Sequence, residues 1–126
     1  MELIYLKDTG KYGRGVFARY DIKIGQVIEV SPVILLPREE CSFIKDTTIS
    51  DYWFSWQVGN FDSAIVLGYG SLFNHSYTPN AVFYNMKDHL SVIFYAISNI
   101  KADEEITVNY NGDPEDKSPL WFNVIE

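Results

Sequence analysis

The stretch of residues 68–81 (GYGSLFNHSYTPNA) constrains the fold more than any other part of the chain. It contains two glycines, a short apolar turn and the run 74–76 (NHS), whose side chains can each hydrogen-bond to nearby backbone. Such a run is typical of the end of a short helical turn and leaves main-chain donors and acceptors facing a cleft. The Thr-Pro-Asn turn at 78–80 then leads into a β-rich region. The alternative for the stretch taken alone is an ordinary loop with one satisfied histidine.

Much of the remaining chain consists of short runs that are typical of β-strands, rich in β-branched and aromatic residues and bounded by turn residues. These runs occupy residues 2–7, 16–18, 31–37, 81–84, 90–97 and 105–110. Residues 51–59 fit either a helical face or one face of a strand, and their aromatic content favours the strand. Residues 38–50 are polar and are expected to form a variable segment beside a substrate groove. His89, at the tip of the predicted hairpin, is interpreted as a solvated turn residue.

Two segments, 20–30 and 98–108, share one local pattern in which a polar turn precedes an alternating run. Ile22 and Ile100 fall at the same offset within the two segments. Because there is no third copy, the pattern does not indicate a repeat architecture. It predicts a fold of short sheets in which the two segments have related positions.

A length of 126 residues is enough for one domain, and its charge limits the class of partner. The net charge of −7 disfavours direct nucleic-acid binding and favours a basic partner. Cys41 is the only cysteine, which excludes an internal disulfide and a multi-cysteine zinc site built by this chain alone. No window approaches the roughly 18 apolar residues of a membrane span, and the first residues lack a signal-peptide pattern. We therefore expect a cytoplasmic or nuclear protein that is not secreted and does not bind a membrane; a homodimer stays open.

Residues 10–15 form a loop with three glycines, which permit positive φ angles and close approach of a ligand to the backbone. The Gly13-Arg14-Gly15 pattern is followed by a strand and not by a helix. This order argues against a dinucleotide-binding fold, in which the last glycine opens a helix. A tight hairpin turn is the alternative for this loop by itself.

The candidate catalytic residues argue against a serine hydrolase and against a metal-dependent hydrolase. His75 and His89 are the only candidate histidine bases, and the serine beside His75 lacks the nucleophile elbow of a hydrolase. Two histidines in unrelated settings do not supply a metal site, so no metal is expected. Tyrosines, glycines and exposed main chain remain, and these suit a transfer reaction that is catalysed by positioning and by dipoles.

Three motifs in this order resemble the SET-domain protein lysine methyltransferases: GRGVFA at 13–18, NHSYTPN at 74–80 and DEEITVNY at 103–110. The resemblance spans nearly the whole chain, which is similar to the minimal stand-alone SET domains of viruses and bacteria. It implies a mainly β fold of several small sheets with a knot-like crossing and few short helices, in one domain over 1–126. It also implies that S-adenosylmethionine lies on one face and a peptide in a groove on the other, joined by a narrow channel.

The resemblance assigns roles to individual residues. Tyr110 is the implied catalytic tyrosine. The implied cofactor-binding residues are Gly13, Arg14, Gly15, Asn74, His75 and Trp121. The expected channel residues are Tyr52, Tyr69, Phe83 and Val108. Residues 113–126 are expected to close the cofactor site, with Trp121 stacked on the adenine where other members have a cysteine zinc cluster. The alternative to a channel role for Tyr52 and Tyr69 is that each is an ordinary packed ring.

Some positions depart from the family pattern. Asn109 stands before the tyrosine where aspartate is frequent, and Tyr77 stands where many members have cysteine. Val108 occupies the position at which a larger ring can set the number of methyl groups, so that number is not predicted. The implied activity is transfer of a methyl group to lysine in a basic protein segment, for example a histone tail. The alternatives are a catalytically degenerate SET-like module that binds peptide or cofactor, and a β-rich carbohydrate- or protein-binding module.

Overall fold

A computed structural model describes residues 2–126, and most of its regular structure is β-strand. The strands are β1 (Ile4–Asp8), β2 (Arg14–Ala18), β3 (Val27–Pro37), β4 (Phe54–Val58), β5 (Phe61–Val66), β6 (Asn74–His75), β7 (Ala81–Met86), β8 (Ser91–Ala96) and β9 (Glu105–Val108). They form a four-stranded sheet in the order β1-β2-β9-β6 and a five-stranded sheet in the order β4-β5-β3-β8-β7. The mainly β class is therefore confirmed, and so is the choice of strand over helix for residues 51–59.

The helices of the described chain are short. They are the α-helix α1 (Arg38–Ile44) and the 3₁₀ turns Thr48–Asp51, Gly70–Leu72 and Lys87–His89. α1 lies in the segment 38–50, for which the sequence predicted only a variable shape. The helix was not predicted, because none of its residues is buried and it carries no apolar periodicity. The local signals are a proline just before the helix and the acidic pair Glu39 and Glu40 in its first turn, where the helix dipole favours negative charge.

The two segments with a shared pattern meet in the structure. Ile22 and Ile100 form an isolated antiparallel bridge with reciprocal backbone hydrogen bonds of 2.7 and 2.8 Å, and both side chains are buried. The predicted hairpin is also present, because β7 pairs with β8 over six residues from Ala81↔Ala96 to Met86↔Ser91. The sequence predicted related positions for the two segments but not this pairing, which joins parts of the chain about 80 residues apart.

An aromatic cluster forms the part of the core that supports the site. The ring of Phe94 is fully buried and contacts three other phenylalanine rings, with Phe73 stacked on it at 4.5 Å between ring centres. Phe54 and Phe83 pack on the same ring at 6.4 and 6.0 Å. Burying each ring contributes about 1.5–3 kcal/mol. The cluster therefore holds Phe73, and with it the start of β6, in a fixed position.

A parallel strand pair brings the motifs at 74–80 and 103–110 together. β6 pairs with β9 in the register Asn74↔Thr107 and His75↔Val108, and the Ser76 N–H donates to the Val108 carbonyl at 2.9 Å. The chain after β9 then folds back over residues 76–78. The knot-like crossing expected here stays a prediction. Within residues 2–126, none of the helices has the length and apolar character that crossing a bilayer requires.

Candidate functional site

The imidazole of His75 is joined to the backbone of Tyr110. His75 Nδ1 accepts a hydrogen bond from the Tyr110 N–H at 2.9 Å, and burial lowers the pKa of the ring below its usual value. A neutral ring whose Nδ1 is an acceptor carries its hydrogen on Nε2. That Nε2 is buried and has no protein partner. His75 thus positions Tyr110 and leaves one donor free.

The hydroxyl of Tyr110 points back to the strand that precedes the histidine. It donates to the Phe73 carbonyl at 2.6 Å. Burial, together with the nearby Tyr52 and Glu105, raises the pKa of the Tyr110 hydroxyl well above its usual value. The group therefore stays protonated, and because its hydrogen is committed to Phe73, its oxygen is available as an acceptor.

Two cavities share Tyr110 as a lining residue. The larger one, called the groove, has a volume of about 950 Å³, and the residues lining it include Tyr52, Phe83, Val108, Tyr110 and Trp121. The smaller one, called the small cavity, has a volume of about 190 Å³ and is lined by Tyr12, Asn74, His75, Tyr110 and residues 122–125. A residue that lines both cavities is placed to contact two ligands at once.

The groove combines an aromatic floor with balanced charges. Phe54, Phe73 and Phe83 belong both to the groove lining and to the cluster around Phe94. The charged side chains in the lining are Arg38, Lys45, Asp51 and Asp62. Arg38 and Asp62 pair with each other at 3.0 Å across an exposed rim. Attraction of a basic partner must therefore come from the net charge of −7 over the whole chain and not from the groove itself.

The glycine loop, β6 and β9 are tied together by a carboxylate. Glu105 accepts hydrogen bonds from the Tyr12 hydroxyl and, at 2.9 Å, from Asn74 Nδ2, which also donates to the Arg14 carbonyl at 2.8 Å. A Cβ added to Gly15 would lie 2.5 Å from Glu105 Oε2. A side chain at this position would therefore displace the side-chain ends of Glu105, Asn74 and Thr9.

The structure distributes the predicted site residues between the two cavities. Tyr52, Phe83 and Val108 lie in the groove lining, and Asn74 and His75 line the small cavity. Their roles in a channel and in cofactor binding stay predictions. Tyr69 lies outside both linings, and its hydroxyl donates to Glu2 at 3.3 Å. Its ring packs against the core, which is the alternative that the sequence left open.

The glycines of the loop at 10–15 are not among the residues that line the small cavity. Gly13 adopts a positive φ of 86°, and Arg14 is exposed and takes part through its carbonyl. The residue of this loop that does line the small cavity is Tyr12, which the sequence reasoning missed. Its position directly before the first glycine of the motif was the available signal.

Two adjacent aromatic residues of the C-terminal segment face different cavities. Trp121 lines the groove and is 63% exposed, with its ring stacked on Tyr110 at 6.1 Å. Phe122 lines the small cavity, and its ring lies edge-on to His75 at 6.3 Å. The two rings also contact each other at 5.0 Å between ring centres, and both pack on Tyr110. The role of Trp121 as the ring stacked on the adenine stays a prediction.

The segment containing these rings is anchored at its start by Asn109. This side chain is buried, its Oδ1 accepts from the Asn111 N–H at 2.9 Å, and its Nδ2 donates to the Asp116 carbonyl at 2.7 Å. An aspartate would present two acceptors and could not donate to that carbonyl. The asparagine that departs from the family pattern thus has a structural role in this chain.

Known proteins share both the sequence and the fold. A family model described as the SET domain matches residues 13–111. A Schizosaccharomyces pombe protein named histone-lysine N-methyltransferase, H3 lysine-37 specific, is 34% identical over 118 residues, which cover 93% of this chain and 75% of the relative.

Solved structures give the same result. A Plasmodium falciparum protein, crystallised as a candidate histone methyltransferase, superimposes with a TM-score of 0.71 at 32% identity and covers 87% of this chain and 94% of that one. A chain from a humanised mutant of Chaetomium thermophilum Polycomb Repressive Complex 2 superimposes with a TM-score of 0.67 at 21% identity. That match covers 85% of this chain and 14% of the other, and at this identity it shows the fold alone.

Proposed function

Because the chain belongs to the SET-domain family and is a protein-lysine methyltransferase, we propose that it uses S-adenosylmethionine to methylate a lysine in a basic protein segment such as a histone tail. The observation that carries this proposal is the position of Tyr110, whose side chain lines both the groove and the small cavity. The groove takes the peptide, and the small cavity takes the cofactor. We also propose that residues 113–126 close the cofactor site.

The residues around the small cavity fit a nucleoside with a charged sulfur. Phe122 offers a ring for stacking, Asn74 and Tyr12 border the cavity, and His75 Nε2 is a buried donor without a partner. A buried donor that has no partner is costly, and a ligand acceptor would remove that cost. The cofactor would be held by these four residues and would supply a methyl group on a positively charged sulfur.

Tyr110 is proposed to orient the substrate amine. A lysine amine attacks only in its neutral form, while its reference pKa is about 10.4. Aromatic walls that exclude water lower that pKa, because they disfavour the charged form. An amine N–H donating to the Tyr110 oxygen would direct the nitrogen lone pair toward the small cavity. The Phe73 carbonyl, 2.6 Å from that oxygen, is placed to accept weak C–H···O contacts at the same point.

The groove and the net charge define the substrate class. The net charge of −7 favours encounter with Lys/Arg-rich segments and acts on the association rate more than on affinity. A histone tail is such a segment, and this substrate would place the protein in a nucleus. The balanced charges of the groove lining predict that affinity depends on shape and aromatic contact around the target lysine.

Methyl transfer tests the proposed function directly. We expect purified protein to transfer a labelled methyl group from S-adenosylmethionine to basic peptides on an array, and to lose this signal when the target lysine is replaced by arginine. Thermal stabilisation by the cofactor without any transfer would support the degenerate module instead. Neither stabilisation nor transfer would overturn the proposal and favour a module that binds other ligands.

A pair of alanine variants tests which aromatic residue contacts the cofactor. We expect Phe122→Ala to raise the Kd for S-adenosylmethionine about tenfold, since base stacking on an aromatic ring is worth about 1–3 kcal/mol. Trp121→Ala is expected to leave this Kd within about twofold and to raise the KM for peptide, because the Trp121 ring lies in the groove. Isothermal titration calorimetry and steady-state kinetics measure the two effects. A raised cofactor Kd in Trp121→Ala and an unchanged one in Phe122→Ala would show that Trp121 is the ring that stacks on the adenine.

A further inference from the structure

The C-terminal segment supplies much of the wall of the small cavity. Its volume of about 190 Å³ is below the roughly 300–1,000 Å³ typical of small-molecule sites. Residues 122–125 form half of its lining. The small cavity is therefore smaller than a typical nucleoside site, and an outward movement of residues 122–125 would enlarge it.

The far end of the segment is held by one carboxylate. Glu126 Oε2 accepts from the Ser76 hydroxyl at 2.8 Å, and Oε1 accepts from the Tyr77 N–H at 2.7 Å. Burial alone would raise the pKa of the Glu126 carboxyl, but these hydrogen bonds and the nearby His75 and Lys117 lower it overall. The carboxylate is therefore ionised at neutral pH and binds the residues that directly follow His75.

The near end of the segment is held differently. Buried Asn109 donates to the Asp116 carbonyl, and the Ser118 carbonyl accepts from Asn111 Nδ2 and from the Tyr77 hydroxyl, both at 3.0 Å. Lys117 Nζ donates to the Tyr77 carbonyl at 2.6 Å. Several contacts thus fix residues 116–118. In the described chain, the hydrogen bonds of residues 119–126 are the two made by the side chain of the exposed Glu126.

We propose that Glu126 is a latch that keeps residues 122–125 over the cofactor cavity, and that it must release Ser76 and Tyr77 before the cofactor can bind. This inference rests on the proposed function and adds a gate to it. Because Ile125 lines the cavity and precedes Glu126 directly, the hydrogen bonds of Glu126 restrain outward movement of this end of the wall. If only a fraction of the molecules is in the open, binding-competent state, the apparent affinity for the cofactor is reduced by that fraction.

Removal of the carboxylate tests the latch. We expect Glu126→Ala to increase the association rate of S-adenosylmethionine about fivefold, because a closed fraction no longer has to open first. Stopped-flow fluorescence of the tryptophans measures this rate. Glu115→Ala is the matched control, since it removes the same charge from an exposed position in the same segment. Its association rate is expected to equal that of the wild type.

Amide exchange provides a readout that is independent of cofactor. The Tyr77 N–H is bonded to Glu126 in the closed state, so its exchange should be slow in the wild type and in Glu115→Ala, and fast in Glu126→Ala. Equal Tyr77 exchange in all three proteins would overturn the latch, and so would equal or slower cofactor association in Glu126→Ala. No cofactor binding by any of the three proteins would instead overturn the proposed function itself.

Discussion

Replacement of Tyr110 with phenylalanine is expected to lower kcat about a hundredfold or more while the cofactor Kd stays within about threefold. The variant keeps the ring that lines both cavities and removes only the oxygen that would hold the amine. Loss of alignment acts on the transition state, so kcat and kcat/KM should fall together. Single-turnover methyl transfer to a peptide, with calorimetry for the cofactor, measures both quantities.

Stability has to be separated from catalysis in this variant. Loss of the Tyr110 hydroxyl leaves the Phe73 carbonyl without that donor, which costs about 1 kcal/mol of unfolding free energy. Tyr84→Phe is a matched control, because its ring is exposed and lies outside the groove lining. We expect Tyr84→Phe to keep wild-type turnover. Full activity in Tyr110→Phe would remove the hydroxyl from the mechanism, whatever the change in stability.

The sequence predicted those parts of the fold that depend on local pattern. The β7-β8 hairpin and the strand nature of residues 51–59 follow from short aromatic and β-branched runs, which favour strands wherever they are packed. The shared local pattern around Ile22 and Ile100 was recognised, but the bridge between these two residues is a long-range contact that the pattern did not predict. α1 was missed because a helix without a buried face leaves no periodic signal.

The candidate site depends more on long-range contacts, and there the sequence reasoning was less complete. Tyr12 enters the small cavity because its hydroxyl reaches Glu105, a partner 93 positions away that no local pattern reveals. The choice between Trp121 and Phe122 depends on how the C-terminal segment is anchored, and Asn109 and Glu126 are the anchors. A catalytic role for Tyr110 was predicted from its motif and stays a prediction. The hydrogen bond from its hydroxyl to the Phe73 carbonyl could not be predicted from the sequence.

Substitution of Gly15 by alanine is expected to damage both stability and cofactor binding. The new Cβ would lie 2.5 Å from Glu105 Oε2 and 2.9 Å from both Asn74 Nδ2 and Thr9 Cγ2. Overpacking of this kind costs about 1–3 kcal/mol of unfolding free energy. Relief of the clash requires Glu105 or Asn74 to move, which breaks the contacts that hold the glycine loop against β6 and β9. We expect a Tm lower by several degrees and a cofactor Kd raised about tenfold or more.

A second glycine of the same loop separates this packing effect from backbone strain. Gly10 has a φ of 79° and nothing within 4 Å of an added Cβ, whereas Gly15 is crowded without a positive φ. Gly10→Ala should therefore lose about 1–2 kcal/mol from the left-handed conformation alone and keep its cofactor Kd. Calorimetric titration and thermal unfolding of both variants measure the difference. If both variants lost cofactor affinity equally, a general loss of order in the loop would explain the effect. A selective loss in Gly15→Ala would instead show that the Glu105 and Asn74 contacts shape the cofactor cavity.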